Sequence, residues 1–222
     1  MPPWASIDTI MFDMDGTLLD LHYDNYFWQV LVPKVYGKTH GVSADAAREI
    51  INCKYAEVHG TLDWYCLDYW EQKLKLDLVA LKSTIKNKIT VRPNVKTLLK
   101  QLQLSNKRLL LITNAHPASM QIKLRHTGID VYFHQCISSH SLKLAKENHG
   151  FWKSLQQLEA YRPERTLLFD DSLPVLRQAK KEGIKHLYAI KQPDSQRPSL
   201  SPAEFPQVED FGHIMPSQHD LE

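Results

Sequence analysis

The fold of this chain is indicated by the stretch IDTIMFDMDGT, residues 7–17. Residues 7–12 are mostly apolar and rich in β-formers, and they stop at an acidic turn that contains Asp13, Asp15 and Gly16. A short apolar run bounded by turn residues is typical of a strand that is buried on both faces. We therefore predict a buried strand that delivers two carboxylates to the loop after it.

The same pattern, an apolar run followed by polar residues, recurs along the chain. Clear runs occupy residues 108–113 and 166–169, and weaker ones lie near 136–138 and 186–190. Helix-like periodicity separates them, at residues 94–103, 119–126, 151–160 and 173–182. Strands that alternate with helices predict parallel pairing, so the expected fold class is a doubly wound α/β sheet. In such sheets the working groups lie beyond the carboxyl ends of the strands.

Residues 21–91 interrupt this alternation, because they have helical periodicity without a convincing buried strand. We expect an inserted α-helical cap there, on a core formed by residues 1–20 and 92–190. Residues 191–222 contain a segment dense in proline and serine and then a segment without periodicity. A loosely held, partly irregular tail is expected for them.

Composition narrows the class of partner. Of 222 residues, 43% are hydrophobic and 23% are charged, and the formal net charge is +2. This balance gives no electrostatic reason to expect nucleic acid or membrane as a partner, and no apolar stretch is long enough to span a bilayer. The first residues lack the features of a signal peptide, so a cytoplasmic protein is expected. The sequence leaves the oligomeric state open.

The cysteines and histidines show no metal-binding spacing. Cys53, Cys66 and Cys136 lie far apart, and they form neither a disulfide framework nor a zinc pattern. We interpret them as small apolar residues of the interior. His22 and His116 are interpreted as loop or surface residues rather than ligands.

Four carboxylates are expected to meet at the carboxyl edge of the sheet. Asp13 and Asp15 follow the first strand, and Asp170 and Asp171 follow a later one. Oxygen donors suit Mg²⁺, which fits sulfur and imidazole sites poorly. An Asp-x-Asp pair alone is also typical of a helix cap or a solvated turn, so the prediction of a magnesium site depends on the whole set.

The loops also contain the other groups that phosphoryl transfer requires, namely hydrogen-bond donors and positive charge. Thr113 ends the second clear strand and Asn114 follows it; both can donate, although simple capping of the next helix would use the same geometry. A lysine should balance the charge. Lys146 is the best placed, just ahead of a helix expected to begin near Glu147, and Lys143 is the reserve candidate.

These segments, in this order, resemble the motifs of the haloacid dehalogenase-like hydrolase superfamily. DMDGTLLD at 13–20 is similar to the first motif, LLITN at 110–114 to the second, Lys146 to the third and FDDS at 169–172 to the fourth. The resemblance extends over about residues 7 to 190. Many relatives have Lys-Pro at the third motif, where this chain has Lys146 followed by glutamate, so the choice of lysine stays open.

The resemblance implies a role for each acidic residue. Asp13 would be the nucleophile that forms an aspartyl-phosphate, and Asp15 the acid/base that protonates the leaving oxygen and then activates water. Mg²⁺ would bind to Asp13, to the backbone carbonyl of Asp15 and to Asp171, with Asp170 assisting.

Within the superfamily the cap selects the substrate. The strings LHYDNYFW at 21–28, TLDWYCLDYW at 61–70 and TNAHP at 113–117 are similar to those of bacterial GMP/IMP 5′-nucleotidases. The resemblance implies that purine nucleoside monophosphates are hydrolysed to nucleoside and phosphate. We take Asn25, Tyr26 and Trp28 as candidate substrate contacts. Most other aromatic residues of the cap should form its core. An aromatic side chain that stacks on a base would contribute about 1–3 kcal/mol to binding.

Other functions fit part of the same pattern. A sugar-phosphate phosphatase or a phosphomutase would carry the same four motifs, and a haloacid dehalogenase would have no need of Asp15. A receiver-like regulatory module is also phosphorylated on an aspartate beside Mg²⁺. The long insertion argues against such a module, because a cap that excludes water is expected of a hydrolase with a small substrate.

Overall fold

The computed structural model describes residues 1–199 and 204–220. Six parallel strands in these residues form one sheet, in the order β3-β2-β1-β4-β5-β6. The strands are β1 (Thr9–Phe12), β2 (Arg108–Thr113), β3 (Gln135–Ser138), β4 (Thr166–Asp170), β5 (His186–Ile190) and β6 (Gln207–Val208). The strand order reverses at β1, so the predicted doubly wound α/β sheet is confirmed.

Both faces of the sheet are buried, because successive residues of a strand point to opposite faces. In β1, Ile10 and Phe12 belong to one apolar cluster and Met11 to another. In β4, Phe169 packs in the first cluster and Leu168 in the second. Double burial is the reason why these strands are continuous apolar runs rather than alternating ones.

Nine α-helices lie within the described residues. They are α1 (His22–Tyr26), α2 (Val32–His40), α3 (Ala44–Val58), α4 (Leu67–Leu74), α5 (Leu78–Thr84), α6 (Val95–Gln103), α7 (Pro117–Thr127), α8 (Phe151–Leu158) and α9 (Leu173–Lys181). Helix α8 begins at Phe151, as the periodicity of residues 151–160 predicts, and not near Glu147; Gly150, which precedes it, has a left-handed conformation at φ 86°. None of the helices in residues 1–199 and 204–220 is long and apolar enough to cross a membrane.

A π-helical turn, Phe27–Leu31, joins α1 to α2. Pro33 has no N–H to offer the carbonyl of Gln29, which interrupts the usual ladder of bonds between residues four apart. The N–H of Val32 bonds instead to the carbonyl of Phe27, five residues back. The wider turn therefore follows from the proline, and such turns are frequent at functional sites.

Helices α1 to α5 surround an apolar cluster of their own, formed by Phe27, Val32, Ile51, Leu67, Trp70, Leu74 and Leu78. The two connections to the sheet run side by side. The N–H of Asp20 donates to the carbonyl of Thr90 at 3.0 Å, and that of Arg92 donates to the carbonyl of Leu18 at 2.9 Å. This arrangement agrees with an inserted cap, whose boundaries at residues 20/21 and 91/92 stay a prediction.

The expectation of a loosely held tail is wrong for residues 204–216. Strand β6 extends the sheet, and Phe211 and Ile214 are buried in the core. The indole nitrogen of Trp4 donates to the carbonyl of Ile214 at 3.1 Å. A two-residue strand is too short to produce a periodic signal, which is why the sequence pattern missed it. Residues 200–203 and 221–222 of the expected tail lie outside the described residues.

Candidate active site

The loop after β1 presents Asp13 beside the end of β4. The N–H of Asp13 donates to the carbonyl of Phe169 at 2.9 Å, which extends the pairing of the two strands by one residue. The loop turns back at Gly16, whose φ is +84°. A Cβ atom at Gly16 would lie 2.5 Å from Oδ2 of Asp171. Glycine is therefore required there both by the backbone conformation and by the approach of the second acidic segment.

Lys146 is fully buried between two of the predicted carboxylates. Its Nζ lies 2.5 Å from Oδ1 of Asp13, 2.6 Å from Oδ2 of Asp170 and 3.1 Å from the carbonyl oxygen of Ile112. These three acceptors use the three hydrogens of the ammonium group. The reserve candidate Lys143 is exposed, at the end of a 3-10 turn. The structure thus brings Lys146, and not Lys143, to the cluster.

The two carboxylates after β4 differ in their partners. Asp170 accepts hydrogen bonds from Lys146 and, at 2.9 Å, from the N–H of Ser172. Among the described residues no hydrogen-bond donor contacts the carboxylate of Asp171. Burial raises the pKa of Asp171 well above its ordinary value, and the neighbouring charges of Asp13 and Asp170 add to this effect.

Burial also raises the pKa of Asp13 to about 6, although Lys146 opposes this change. A cation between Asp13 and Asp171 would relieve their repulsion. These carboxylates and the adjacent backbone carbonyls form the all-oxygen donor set that Mg²⁺ prefers, so the residues present fit this ion. Asp13 and Asp171 are the side chains with which it would be held.

Asp15 lies in a second group of buried charges, which the sequence analysis missed. Its Oδ2 lies 2.6 Å from Nζ of Lys123, and Lys123 is also 2.6 Å from Asp24. Asp24 is bridged in turn to Lys82 at 2.8 Å. Burial raises the pKa of Asp15 to about 7, against the opposing effect of Lys123. Its Oδ1 is buried without a hydrogen-bond partner among the described residues.

A weak signal for these lysines was present in the sequence. Lys82 follows the buried Leu78 by one helical turn, and Lys123 directly precedes the buried Leu124. A lysine at the buried positions of an amphipathic helix needs a carboxylate partner, because an unpaired buried charge is costly. The pattern does not say which carboxylate is the partner.

Glu147 occupies the position at which many relatives have the proline of the third motif. It holds the loop after β2 in place through hydrogen bonds. Its Oε2 accepts from Nδ2 of Asn114 at 2.8 Å, and its Oε1 accepts from the hydroxyl of Tyr65 at 2.8 Å. Oδ1 of Asn114 accepts from the N–H of Lys146 at 2.9 Å. The amide of Asn114 is therefore occupied in holding the loop, and Thr113 is the better placed of the two predicted side-chain donors.

The acidic cluster opens into a cleft of about 940 Å³ that reaches helices α1 to α4. Asn25 and Trp28 line this cleft, as predicted for substrate contacts, whereas Tyr26 is not part of its lining. The ring of Tyr26 instead lies 4.4 Å from Nζ of Lys88. We therefore remove Tyr26 from the candidate set.

One face of α3 also lines the cleft. Arg48, Asn52 and Tyr55 are spaced by four and three residues, which places them along the same side of a helix. Tyr55 meets Trp28 edge to face, with the ring centroids 5.8 Å apart, and it meets Trp64 at 5.4 Å. This side of the cleft therefore combines aromatic rings with the guanidinium of Arg48 and the amide of Asn52.

The model of the haloacid dehalogenase-like hydrolase family matches residues 10–189. The matched range begins in β1, ends in β5 and includes both acidic loops and Lys146. The chain belongs to this family. The superfamily predicted from the four motifs is thereby confirmed.

Among members of the haloacid dehalogenase-like hydrolases, the chain is similar to the GMP/IMP nucleotidase YrfG of Escherichia coli. The two are 38% identical over 96% of each chain. It is also 22% identical to a phosphorylated carbohydrates phosphatase of Thermotoga maritima, over 83% of this chain and 85% of that protein. The crystal structure of a haloacid dehalogenase-like phosphatase from Thermococcus onnurineus superposes on this chain with a TM-score of 0.77. The superposition covers 94% of this chain and 96% of that chain at 21% sequence identity, which supports the fold.

Proposed function

We propose that the chain is a Mg²⁺-dependent phosphatase that hydrolyses purine nucleoside 5′-monophosphates, with GMP and IMP preferred. The observation that carries the substrate is the 38% identity, over 96% of each chain, to a GMP/IMP nucleotidase. The chemistry is supported separately by the buried cluster of Asp13, Lys146 and Asp171.

In the proposed reaction the carboxylate of Asp13 attacks the phosphorus atom, and the bond between phosphorus and the ribose 5′ oxygen breaks. Asp15 gives its proton to that leaving oxygen. A raised pKa near 7 is suited to this role, because the carboxyl group then carries a proton in a useful fraction of molecules near neutral pH. Lys146 holds the carboxylate of Asp13 in position.

The second half of the reaction regenerates the enzyme. Water attacks the phosphorus atom of the aspartyl-phosphate while Asp15 accepts its proton, and the bond between phosphorus and the Asp13 oxygen breaks to release phosphate. The hydroxyl of Thr113, which lines the cleft, would donate to a phosphoryl oxygen. Mg²⁺, when bound at Asp13 and Asp171, supplies positive charge to the transferred group.

Base selection is assigned to the aromatic end of the cleft. GMP and IMP carry the N7 and O6 acceptors that a guanidinium can contact in a bidentate manner, whereas AMP has an amino group at position 6. Arg48 offers such a guanidinium, and Asn52 lies one turn further along the same face of α3. Stacking on Trp28 or Tyr55 favours purines in general, because guanine and adenine both have a π-face.

The decisive experiment measures kcat/KM for GMP, IMP, AMP, UMP and a hexose phosphate at the same Mg²⁺ concentration. We expect GMP and IMP to exceed AMP by roughly 10- to 100-fold, the value of one or two unmatched polar groups. Asp13→Asn should abolish turnover of every substrate, and Asp15→Asn should lower it by roughly 10²- to 10⁴-fold. Near-normal activity of Asp13→Asn would disprove the covalent mechanism.

The role of Arg48 has its own test. Arg48→Met should reduce kcat/KM for GMP and IMP by roughly tenfold or more and leave AMP nearly unchanged. Lys54→Met is the matched control, since Lys54 lies on α3 but does not line the cleft. An equal loss for GMP and AMP would contradict base reading by Arg48.

The second candidate function is a sugar-phosphate phosphatase, which the similarity to a carbohydrate phosphatase favours. The same panel distinguishes the two. A higher kcat/KM for the hexose phosphate than for GMP would replace the nucleotidase proposal and leave the chemistry at Asp13 intact.

A further inference from the structure

We propose that Zn²⁺, or a similar transition-metal ion, binds to Cys66, His116 and His140. This site lies at the contact between the segment that contains helices α1 to α5, called the helical segment below, and the carboxyl edge of the sheet. Each of the three side chains offers one ligand atom, and these atoms lie within 4.8 Å of one another. Three ligands around one tetrahedral ion lie a little closer than this, so small side-chain rotations complete the site.

The three residues come from separate elements. Cys66 immediately precedes α4, His116 immediately precedes α7, and His140 lies in the 3-10 turn that follows β3. The imidazole rings of His116 and His140 meet edge to face, with a centroid distance of 5.0 Å and an angle of 82° between their planes. All three residues are half-buried, which protects the site while leaving a path for an ion.

The strongest indication of a missing partner is at His140. Its Nε2 is buried and has no hydrogen-bond partner among the described residues. The backbone of Asn114 lies beside the ring. Metal-bound histidines commonly donate one ring N–H to a backbone carbonyl, which leaves the lone pair of the other nitrogen for the ion. Buried polar atoms without a partner are rare, so this one calls for a ligand.

The surroundings of His116 leave Nδ1 as its ligand atom. Without an ion, this nitrogen accepts a long hydrogen bond of 3.4 Å from the N–H of Ala118, which a bound metal would replace. Oδ2 of Asp68 lies 3.5 Å from Nε2 of His116 on the solvent side, and the carboxylate is 71% exposed. A carboxylate beside a metal-bound imidazole orients the ring and increases its basicity. Water would be the fourth ligand of a tetrahedral ion, beside the three side chains.

The ligand chemistry separates this site from the acidic cluster. One thiolate and two imidazoles suit Zn²⁺ or Co²⁺ and do not suit Mg²⁺, whereas the carboxylates around Asp13 have the opposite preference. On binding, the thiol of Cys66 releases its proton to solvent and forms a bond to the metal. No oxidation is involved.

The consequence is a link between separate elements beside the cleft, which His116 lines. Cys66 belongs to the helical segment, whereas His116 lies two residues beyond Asn114 in the loop after β2. A bound ion would hold these parts together and oppose the opening that substrate exchange requires. We expect Zn²⁺ at one equivalent per chain to slow Mg²⁺-supported turnover of a generic phosphate ester.

Titration of the full-length protein with Co²⁺, in the presence of Mg²⁺, tests the site directly. We expect one equivalent of Co²⁺ to produce the charge-transfer band of a Co²⁺–thiolate bond together with the ligand-field bands of a tetrahedral ion. Cys66→Ser should abolish the charge-transfer band, and His140→Gln should weaken binding by about tenfold or more. Cys53→Ser and Cys136→Ser are the matched controls and should keep the full spectrum.

Further arms of the experiment separate this site from the acidic cluster and from misfolding. Asp13→Asn should keep the spectrum, because the acidic cluster is not involved, and this result does not depend on the proposed activity. Circular dichroism of the metal-free Cys66→Ser and His140→Gln proteins should match that of the unaltered protein, and either variant alone suffices for the test. The proposal is overturned if no thiolate band forms at one equivalent, if the band survives Cys66→Ser, or if it is lost in Asp13→Asn.

Discussion

Two buried lysines divide the charges of the site between them. Lys146 neutralises Asp13 and Asp170, whereas Lys123 pairs with Asp15 and Asp24. The proposed nucleophile and the proposed acid/base thus have separate cationic partners, although only one residue lies between them in the chain. Each carboxylate can therefore be held in a different protonation state within one loop.

Lys123 is a positioning residue for Asp15 in this arrangement. Lys123→Met should lower kcat by roughly 10- to 100-fold with little change in KM, because Asp15 loses the contact that orients it. The double variant Asp15→Asn with Lys123→Met should be no slower than Asp15→Asn alone, since the lysine acts through that carboxylate. Lys96→Met, on the neighbouring α6, is the control. Multiplicative losses in the double variant would contradict the positioning role.

Asp170 and Asp171 should differ in their response to magnesium. Asp171 has no protein donor among the described residues, so Asp171→Ala should raise the Mg²⁺ concentration needed for half-maximal activity by roughly tenfold or more. Asp170→Ala should mainly lower kcat, because it removes a partner of Lys146. EDTA should abolish activity of the unaltered protein, and Mg²⁺ should restore it. Titration of initial rates against Mg²⁺ separates these effects; an unchanged titration for Asp171→Ala would reverse the assignment.

At the scale of elements, two hydrogen bonds join helices α1 to α5 and their connections to the loop after β3. The hydroxyl of Tyr65, from the turn before α4, reaches Glu147 after β3, and Asn148 Nδ2 donates to the carbonyl of Gly60 at 3.0 Å. Glu147 connects the first of these bonds to Asn114. Glu147, which stands where many relatives have proline in the third motif, therefore links the loop after β2 to the turn before α4.

Removal of this bond should be measurable. Tyr65→Phe should lower the free energy of unfolding by about 1.5–3 kcal/mol, the value of a hydrogen bond to a charged group. It should also lower kcat/KM, because Glu147 then holds Asn114 less firmly. Tyr36→Phe is the control, since no hydrogen bond of the Tyr36 hydroxyl is found in the described residues. Denaturant unfolding and initial rates give both quantities; equal stability of the two variants would show that the contact contributes nothing.

At the scale of the whole molecule, Asp24 joins the helical segment to the sheet through charge. It contacts Lys82 of α5 on one side and Lys123 of α7 on the other. Although burial alone would raise the pKa of Asp24, the two lysines lower it to about 2. The folded state therefore favours the ionised carboxylate more than the unfolded chain does.

This shift predicts how stability depends on pH. Because the folded-state pKa lies below the ordinary value, the stabilising contribution is complete above that value and is lost as the pH falls from 3.8 to about 2. At pH 7, Asp24→Asn should lower the free energy of unfolding by about 3–5 kcal/mol, since two buried lysines lose their shared partner. The difference between the variant and the unaltered protein should narrow as the pH approaches 2.

The control for this prediction is an exposed ion pair. Glu204→Gln removes the partner of Arg177, and both side chains are largely exposed, so the change should stay within about 1 kcal/mol. Denaturant unfolding from pH 7 to pH 2.5 provides the comparison. A constant difference for Asp24→Asn across this range would rule out the proposed role of the carboxylate charge.

The sequence by itself determined the parts that local patterns encode. Apolar runs predicted strands β1 to β5, because burial on both faces favours apolar residues in the middle of each strand. The residues at the carboxyl ends of β1, β2 and β4 were predicted to meet, because the carboxyl ends of parallel strands share one edge of the sheet. Asp13, Thr113 and Asp171 are of this kind.

Only the tertiary structure decided which residues far apart in the chain become partners. Contacts between separate elements determine four features: the choice of Lys146 over Lys143, the chain of charges from Asp15 to Lys82, the docking of residues 204–216 and the cluster at Cys66. Periodicity records whether a position is buried, but it does not record what lies opposite. A buried lysine or cysteine therefore gains its meaning only when the folded chain brings the partner to it.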